Sequence, residues 1–403
     1  MGNTLKNTDM EQELNPGHDV AELAATLVRI PSCSETFSRE NAMAMHIHSI
    51  FQAEGISSEL IEVEENHFNV TATIKGTGEG KSLMLCGHLD TVPAYDMEDH
   101  LSGSIIDGRL YGRGSCDMKG ALAAMIYAII DIKRSGVQLK GDLVFAGVIE
   151  EEIGGKGIGH IAKHGPFVDG AVIGEPTDMR VSLGHKGLEW IKIDVKGKKV
   201  HGGKMDKGVN AIVMAGILVE KIHREYTQVL RGRSHPILGS PTINIGRIFG
   251  GDQPSTVPGT CTIEIDRRWI PEETLDQVYQ ELESLIDNIR SEEPRFSATV
   301  RSYKEPNEIP PHRPFCTEAT DPLASKAMKV LGRLGIVEIK PTDFPAWSDA
   351  GVLADLTEAR CIIVGPGDLE LAHTAEESIA VEDLEVARCF YRELAVDYCG
   401  LEE

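Results

Sequence analysis

The first half of the chain alternates between helical and strand-like patterns. Apolar side chains recur every three to four positions in residues 18–30 and 38–55, which predicts two amphipathic helices. Continuous apolar runs of strand length occupy residues 82–90, 141–152 and 170–177. Apolar strands separated by helices usually form a parallel sheet that is covered on both faces. This half is therefore predicted to have an α/β fold with a mainly parallel sheet.

The pattern changes in the second half. Residues 187–201 alternate apolar and polar positions, as expected of a sheet with one face in water. A helix, two strands, a charged amphipathic helix and a last strand follow, so the predicted order is β-α-β-β-α-β, the ferredoxin-like arrangement. The α/β pattern returns after the proline-rich residues 305–314. We therefore predict a discontinuous domain of residues 1–185 and 306–403 with an inserted domain of residues 186–305.

Composition and charge exclude several classes of protein. The formal net charge of −23 argues against nucleic acid or an anionic membrane as a partner, because both require a basic surface. The first 14 residues are acidic and lack the apolar core of a signal peptide, and no stretch approaches the ~18 apolar residues of a membrane span. The eight cysteines are scattered without a C-x-x-C pair, which is typical of reduced thiols in a cytoplasmic protein.

Side chains that bind metals follow the predicted strands at the points where these strands end. In open α/β sheets, ligands bind at the carboxyl ends of the strands, so these side chains are expected to lie close together. They are His88, Asp90, Asp117, Glu150, Glu151, Glu152, Glu175 and His373. One such residue is a weak signal, but their repeated delivery to the same edge of one sheet indicates a binding site.

The negative charge of this group requires compensation. Asp117, Glu152, Glu175 and one further glutamate bring four negative charges together, and burial of even one unpaired carboxylate costs several kcal/mol. Two divalent cations balance this charge. Histidine and carboxylate ligands without thiolate favour zinc, with cobalt or manganese as alternatives, in a hydrolytic rather than a structural site.

Adjacent glutamates suit the hydrolysis of an amide bond. Two metal ions about 3.5–4 Å apart can share a carboxylate and a water molecule whose pKa falls towards ~7. A glutamate that is not bound to metal can take the proton of that water and pass it to the leaving amine. Because neighbouring side chains point in different directions, one glutamate of residues 150–152 can bind metal while another faces the water.

Seven motifs resemble those of a known enzyme family. They are GHLDTVP, LYGRGSCDMKGALAA, EEEIGGKG, VIGEPT, GVNAI, DRRWIP and GPGDLELAHTAEE, and they keep the family's order and approximate spacing between about residues 20 and 395. The chain is similar to the dizinc metallopeptidases that include acetylornithine deacetylase, succinyl-diaminopimelate desuccinylase, aminoacylase and the glutamate carboxypeptidases. GHKG, GVNAI and VGPGDLELAH are most similar to the acetylornithine deacetylase-like members. The resemblance implies a catalytic domain with two metal ions per chain and an inserted lid and dimerisation domain.

The resemblance also implies which residues hold the two metal ions. Asp117 would bridge both metals. His88 and Glu175 would complete the coordination of one metal, and Glu152 and His373 would complete that of the other. This division gives each metal one histidine, one glutamate of its own and one oxygen of the shared aspartate.

Three further acidic residues of the same motifs would not bind metal. Glu151 would be the general base, and Asp90 would orient His88 from behind. Glu150 stands where the family usually has aspartate, and it conserves the charge without an assigned role.

The inserted domain would supply contacts to the substrate. His201 would reach the active site of the partner subunit in a homodimer and help to polarise the scissile carbonyl. Arg268 would grip a substrate carboxylate, and Asn210 and Gly365 match positions near the substrate. The sequence departs from the family in this domain, because His-Ser-Ser-x-Pro reads His-Gly-Gly-Lys-Met from His201 onward and Ser255 replaces an asparagine. These departures leave the acyl group and the amino acid open.

The sequence predicts a metal-dependent amidohydrolase that removes an acyl group, such as acetyl or succinyl, from an N-acyl amino acid. A dipeptidase or carboxypeptidase that uses the same site is the alternative, because both reactions cleave an amide beside a free carboxylate. A relative that only binds a ligand is the third alternative. The presence of all five expected metal ligands and of Glu151 argues against it.

Overall fold

A computed structural model describes residues 20–33, 40–303, 310–336 and 340–402. The predictions made for the amino terminus lie outside these residues, and so does the predicted domain boundary at residues 305–306. No helix in the described part of the chain is long and apolar enough to cross a membrane.

Within the described residues, the strands form one large sheet and three smaller ones. In chain order they are β1 (Ser57–Glu64), β2 (His67–Ile74), β3 (Leu83–His88), β4 (Ser104–Ile106), β5 (Arg109–Tyr111), β6 (Leu143–Val148), β7 (Gly170–Ile173), β8 (Ser182–His185), β9 (Gly187–Lys196), β10 (Val200–His201), β11 (Thr242–Gly250), β12 (Thr256–Val257), β13 (Thr260–Trp269), β14 (Ser297–Ser302), β15 (Phe315–Cys316), β16 (Thr342–Phe344), β17 (Arg360–Ile363) and β18 (Ser378–Ala380).

The helices cover these sheets. They are α1 (Val20–Arg29), α2 (Asn41–Ala53), α3 (Gly120–Ser135), α4 (Lys156–His164), α5 (Ala211–Lys221), α6 (Thr227–Arg231), α7 (Leu275–Glu292), α8 (Pro322–Arg333), α9 (Ala350–Leu356) and α10 (Val381–Cys399). A five-residue π-helical turn, Ser115–Lys119, leads into α3.

The large sheet has a parallel centre and antiparallel edges. Its order is β1-β2-β6-β3-β7-β17-β8-β15, with β16 paired to β8. Strands β6, β3, β7 and β17 run parallel, whereas β1, β2 and β15 pair antiparallel with their neighbours. The predicted mixed α/β fold with a mainly parallel sheet is confirmed, and the antiparallel edges are an addition that the apolar runs alone did not indicate.

Both faces of the central strands are buried, as the continuous apolar runs predict. In β3, Leu83 and Leu85 pack into the core beneath α1, α3 and α10, while Met84 and Cys86 face the opposite core beside α4 and α9. Strand side chains alternate between the two faces, so in a strand covered on both sides every side chain is buried and polar residues are disfavoured. The polar residues are therefore displaced to the strand ends.

The four-stranded sheet is antiparallel and has a core of its own. Its order is β11-β13-β9-β14, and α5 and α7 pack on one face through the buried side chains of Ile191, Ile193 and Val195. This order and its intervening helices are the ferredoxin-like β-α-β-β-α-β arrangement that the alternation predicted. We call β9–β14 with α5–α7 the four-stranded unit.

Candidate metal centre

The carboxyl ends of three neighbouring parallel strands carry the predicted site residues. His88 ends β3, the run of three glutamates begins two residues after β6, and Glu175 lies two residues after β7. Asp117 lies in the π-helical turn that precedes α3, and its peptide bond to Met118 is cis. His373 follows β17 in a loop and has a left-handed φ of 63°.

These residues form two groups that share Asp117. In the first group, His88 Nε2 lies 2.9 Å from Asp117 Oδ1 and 3.9 Å from Glu175 Oε1. In the second group, His373 Nε2 lies 3.1 Å from Asp117 Oδ2 and 3.0 Å from Glu152 Oε1. The structure thus brings together all five predicted ligands and divides them as the family resemblance implies. Both groups have the composition and spacing of a cation site.

The charges of this cluster fit the presence of cations. Glu175 Oε1 is buried and has no hydrogen-bond partner among the described residues. Burial, followed by the negative charge of Asp117, raises the pKa of Glu175 well above its ordinary value. An oxygen that is both buried and unsatisfied is costly unless a proton or a metal ion compensates it. A divalent ion beside His88 and Asp117 would supply that compensation.

In the metal-free protein, the two histidines of the cluster bind protons more strongly than ordinary histidines do. Burial opposes protonation of His88, but the nearby carboxylates of Asp117, Asp90 and Glu175 together outweigh burial and raise the pKa of the imidazole well above its ordinary value. Hydrogen bonds to Asp117 and Glu152 raise the pKa of His373 to about 10. Metal binding must therefore displace these protons, because only the neutral imidazole coordinates a metal.

The raised pKa of His373 predicts how the stability of the metal-free protein depends on pH. A pKa raised on folding stabilises the protein fully below the ordinary value, and the contribution is lost as the pH rises through the folded value. For His373 this window runs from 6.5 to about 10. We expect the metal-free wild type to melt above the His373→Gln variant at pH 6, with the difference shrinking towards pH 10. A difference that stays constant across the window contradicts the ion-pair geometry of His373.

Asp90 holds the run of glutamates rather than the imidazole alone. Its carboxylate accepts the backbone N–H of Glu151 at 3.1 Å and that of Glu152 at 3.0 Å. The Nδ1–H of His88 donates to the backbone oxygen of Asp90 at 3.0 Å, whereas the carboxylate oxygen lies 3.6 Å away. The contact that orients His88 thus comes from the backbone of Asp90. The side chain fixes the two glutamates next to each other.

Glu151 interacts electrostatically with residues of both ligand groups. Burial, followed by the negative charge of Glu175, raises the pKa of Glu151 well above its ordinary value, with further contributions from Asp349 and Glu152. A carboxyl group whose pKa is raised in this way is suited to exchange a proton near neutral pH. Its position is compatible with the predicted role of general base.

Glu377 is a residue of the site that the sequence analysis did not single out. Its Oε1 accepts the backbone N–H groups of Gly114, Cys116 and Asp117 at 2.9–3.1 Å, and its Oε2 pairs with Arg113. The side chain is fully buried. Glu377 therefore fixes the loop that presents Asp117. The signal was its place in the motif that also contains His373.

Asp349 is a second residue that the sequence analysis missed. It is buried at the start of α9, and its Oδ1 has no hydrogen-bond partner among the described residues. Burial, together with the negative charge of Asp90, raises the pKa of Asp349 to about 8. Its charge also acts on Glu151 and Glu175. The only sequence signal was a polar pair, Ser348 and Asp349, within an apolar stretch.

The predicted substrate-binding residues make other contacts in this structure. Asn210 caps α5 through the N–H groups of the next turn, and the exposed His201 accepts the N–H of Gly203. Arg268 forms a bidentate ion pair with Asp266, at 2.8 and 3.0 Å. These three residues belong to the four-stranded unit, and their hydrogen bonds in the described part of the chain stay within it. Their roles towards a substrate remain predictions.

Gly365 lies much closer to the metal-ligand cluster. A Cβ atom added there would meet the backbone oxygens of Gly174 and Glu175 at 2.2 and 2.5 Å. Only glycine permits this approach, which packs the loop after β17 against the loop that carries Glu175. Its proximity to a substrate remains a prediction.

Comparison with known proteins identifies the family. Residues 84–397 match the model of peptidase family M20/M25/M40. The chain belongs to this family. Members of the family are dinuclear metallohydrolases that act on amide bonds, so the predicted family and enzyme class are confirmed.

Relatives of the same length span nearly the whole chain. Acetylornithine deacetylase of Myxococcus xanthus is 29% identical over 389 residues, which cover 94% of this chain and 98% of the relative. Among solved structures, the aminopeptidase PepT of Bacillus cereus superposes with a TM-score of 0.77 at 20% identity, covering 94% of this chain and 98% of PepT. The Bacillus subtilis YXEP protein, a dinuclear metal binding peptidase of family M20, gives a TM-score of 0.70 at 18% identity, covering 94% and 96%. The two structures confirm the fold.

Proposed function

We propose that this family member removes an acyl group from an N-acyl amino acid and that two divalent ions, zinc in the first instance, occupy the two groups that share Asp117. The observation that carries the proposal is the position of Asp117 between the two groups. Each of its two carboxylate oxygens lies next to the histidine of a different histidine–glutamate pair. The name of the Myxococcus xanthus relative supports a deacylase.

The residues of the chain divide the chemistry among themselves. His88 and Glu175 would hold one ion, Glu152 and His373 would hold the other, and Asp117 would serve both. When bound, the ions lower the pKa of water and polarise the carbonyl of the substrate. Glu151 accepts the proton of the attacking water and returns it to the leaving amine, for which its raised pKa is suited.

An exopeptidase is the second candidate on the same site. It is favoured by the solved structures of similar fold, which include an aminopeptidase and a peptidase. Both reactions break an amide with the same ions and the same base. Their difference lies in what the pocket holds on either side of the scissile bond.

A substrate panel separates the two candidates. Purified protein loaded with zinc, and separately with cobalt, is assayed on N-acetyl- and N-succinyl-amino acids and on dipeptides, with a chelator-treated sample as the control. We expect metal-dependent hydrolysis of the N-acyl-amino acids with kcat/KM at least about tenfold above that of any dipeptide. The reverse preference assigns the protein to the exopeptidases, and turnover on neither series contradicts both candidates.

We further propose a cytoplasmic homodimer that forms through the four-stranded unit. Strand β11 lies at the edge of its sheet and carries two half-exposed apolar side chains, Ile248 at 50% and Phe249 at 49%. Ile212 and Val213 on α5 are similarly exposed, at 44% and 55%. An apolar edge strand next to an apolar helix surface favours pairing with a second copy. The seven cysteines other than Cys33 are free thiols in the described part of the chain, which suits a reducing compartment.

Mixing two inactive variants tests whether His201 acts on the partner subunit. His201→Ala and Glu151→Gln chains are each expected to be inactive. After subunit exchange, half of the dimers are mixed and each contains one complete site, so about a quarter of wild-type activity returns. If mass spectrometry confirms exchange and no activity returns, His201 does not act in trans.

A further inference from the structure

Four consecutive backbone N–H groups at the run of glutamates all donate to buried side chains. Ile149 donates to Asn69 Oδ1 at 3.0 Å, and Glu150 donates to Glu40 Oε1 at 3.2 Å. The next two N–H groups donate to the carboxylate of Asp90, as described above. Asn69, Glu40 and Asp90 are fully buried. We call these three side chains the acceptor cradle and residues 149–152 the acid turn.

The acid turn has a backbone that needs such support. Glu150 adopts a left-handed φ of 59°, which is uncommon for a residue with a side chain. Its carbonyl oxygen accepts the N–H groups of Gly154 and Gly155. Asn69 also donates from Nδ2 to the carbonyl oxygen of Gly157 at 2.8 Å, in the first turn of α4. One asparagine thus joins the first residue of the acid turn to the helix after it.

The negative charge of Glu150 is compensated by His67 and Lys156, which are not part of the metal-ligand cluster. Its Oε1 lies 3.6 Å from His67 Nδ1 and its Oε2 lies 3.5 Å from Lys156 Nζ. His67 pairs through Nε2 with Glu40, and Lys156 pairs with Glu64 at 2.6 Å. Glu64, His67 and Glu150 also have the composition and spacing of a cation site, but the ammonium of Lys156 already contacts both glutamates. A third metal ion is therefore not required here.

We propose that Glu40 and Asn69 are positioning residues that, together with Asp90, hold the acid turn so that Glu151 stays aligned as the base; this inference rests on the proposed function. Asp90 contacts the two glutamates themselves, whereas Glu40 and Asn69 fix the two residues that precede them. Three adjacent carboxylates repel one another, so a turn held only at one end would relax towards solvent. A displacement of about 1 Å at a reacting group can cost 10²-fold in rate.

Kinetics of Asn69→Ala and Glu40→Ala test the proposal. We expect kcat to fall by about 10²-fold at saturating metal, with KM changed less than about threefold, because the substrate contacts lie elsewhere. Glu40→Gln retains an amide oxygen that can accept the N–H of Glu150, so it should recover most of the lost kcat. The matched control is Thr317→Val, which removes one buried hydrogen bond of 2.6 Å to Cys361 in another part of the same sheet.

Hydrogen exchange gives a readout that does not depend on activity. In metal-free protein, the peptide covering residues 145–155 should exchange about tenfold faster in Asn69→Ala and Glu40→Ala than in wild type or Thr317→Val. Both variants exchanging at the rate of Thr317→Val would overturn the proposal. So would a kcat equal to that of the control, or a loss of activity that excess metal fully restores.

The two proposals fail in distinguishable ways. If the wild type hydrolyses no substrate of the panel, the proposed function fails, and the exchange of residues 145–155 still decides whether the cradle holds the turn. If the wild type is active and the variants match the control, only the positioning role fails. If either alanine variant does not fold, Glu40→Gln takes its place, and its peptide covering residues 145–155 should exchange faster than that of wild type and of Thr317→Val.

Discussion

Replacement of Glu151 by glutamine is expected to lower kcat by about 10²–10⁴-fold on the best substrate of the panel while the chain still binds two metal ions. Glutamine keeps the size and one acceptor oxygen of the side chain, but it cannot take a proton from water. None of the close contacts within the two ligand groups involves the side chain of Glu151. Metal content should therefore be unchanged by the substitution.

The measurement pairs steady-state kinetics with metal analysis of the same sample. Glu79→Gln is the matched control, since Glu79 is an exposed glutamate in the loop between β2 and β3, and it should leave both quantities unchanged. Retention of more than about a tenth of the wild-type kcat would remove Glu151 as the base. Loss of a metal ion together with activity would make it a ligand instead.

Replacement of Asp117 by alanine is expected to weaken both metal sites at once. Each of its two oxygens faces a different histidine–glutamate group, so both groups lose a ligand. Loss of even an outer partner of a ligand costs about 10–100-fold in affinity, and loss of a shared ligand should exceed this. Activity should fall to the level of the chelator-treated protein.

The test is a calorimetric titration of the metal-free protein with zinc, which measures the number of sites and their affinities. Asp96→Ala removes an exposed aspartate of the same part of the chain and should bind zinc as the wild type does. A variant that loses one site and keeps the other at wild-type affinity would show that Asp117 is not shared. Glu175→Gln should produce that one-site pattern, because Glu175 belongs to the first group alone.

The sequence predicted the centre of the fold and the position of the site for one physical reason. Strands buried on both faces tolerate no polar residue, so the polar residues lie at the strand ends. In the sequence they can be recognised because they come directly after an apolar run. The edges were harder to predict, because β2 and β6 are both largely buried and pair antiparallel without a distinct pattern.

The contacts that support the site could not be read from the sequence. Glu40, Asn69 and Glu377 act on backbone groups that lie 110, 80 and more than 250 residues away along the chain. Glu40 and Asn69 lie outside every recognised motif, and only the packing of α2 and β2 beside β6 reveals their partners. Glu377 belongs to the motif of His373, but the sequence does not indicate which backbone groups it binds. The contacts of Asp90 were also only partly predictable. The sequence suggested a contact with His88, and the structure shows that its carboxylate also accepts the N–H groups of Glu151 and Glu152.

The shared aspartate is the central claim, and anomalous diffraction from crystals of the zinc-loaded protein tests it most directly. Data collected on either side of the zinc absorption edge should show two peaks about 3.5–4 Å apart, with one oxygen of Asp117 directed at each. His88 and Glu175 should contact one peak, and Glu152 and His373 the other. A single peak, or two peaks of which only one contacts Asp117, would contradict the account.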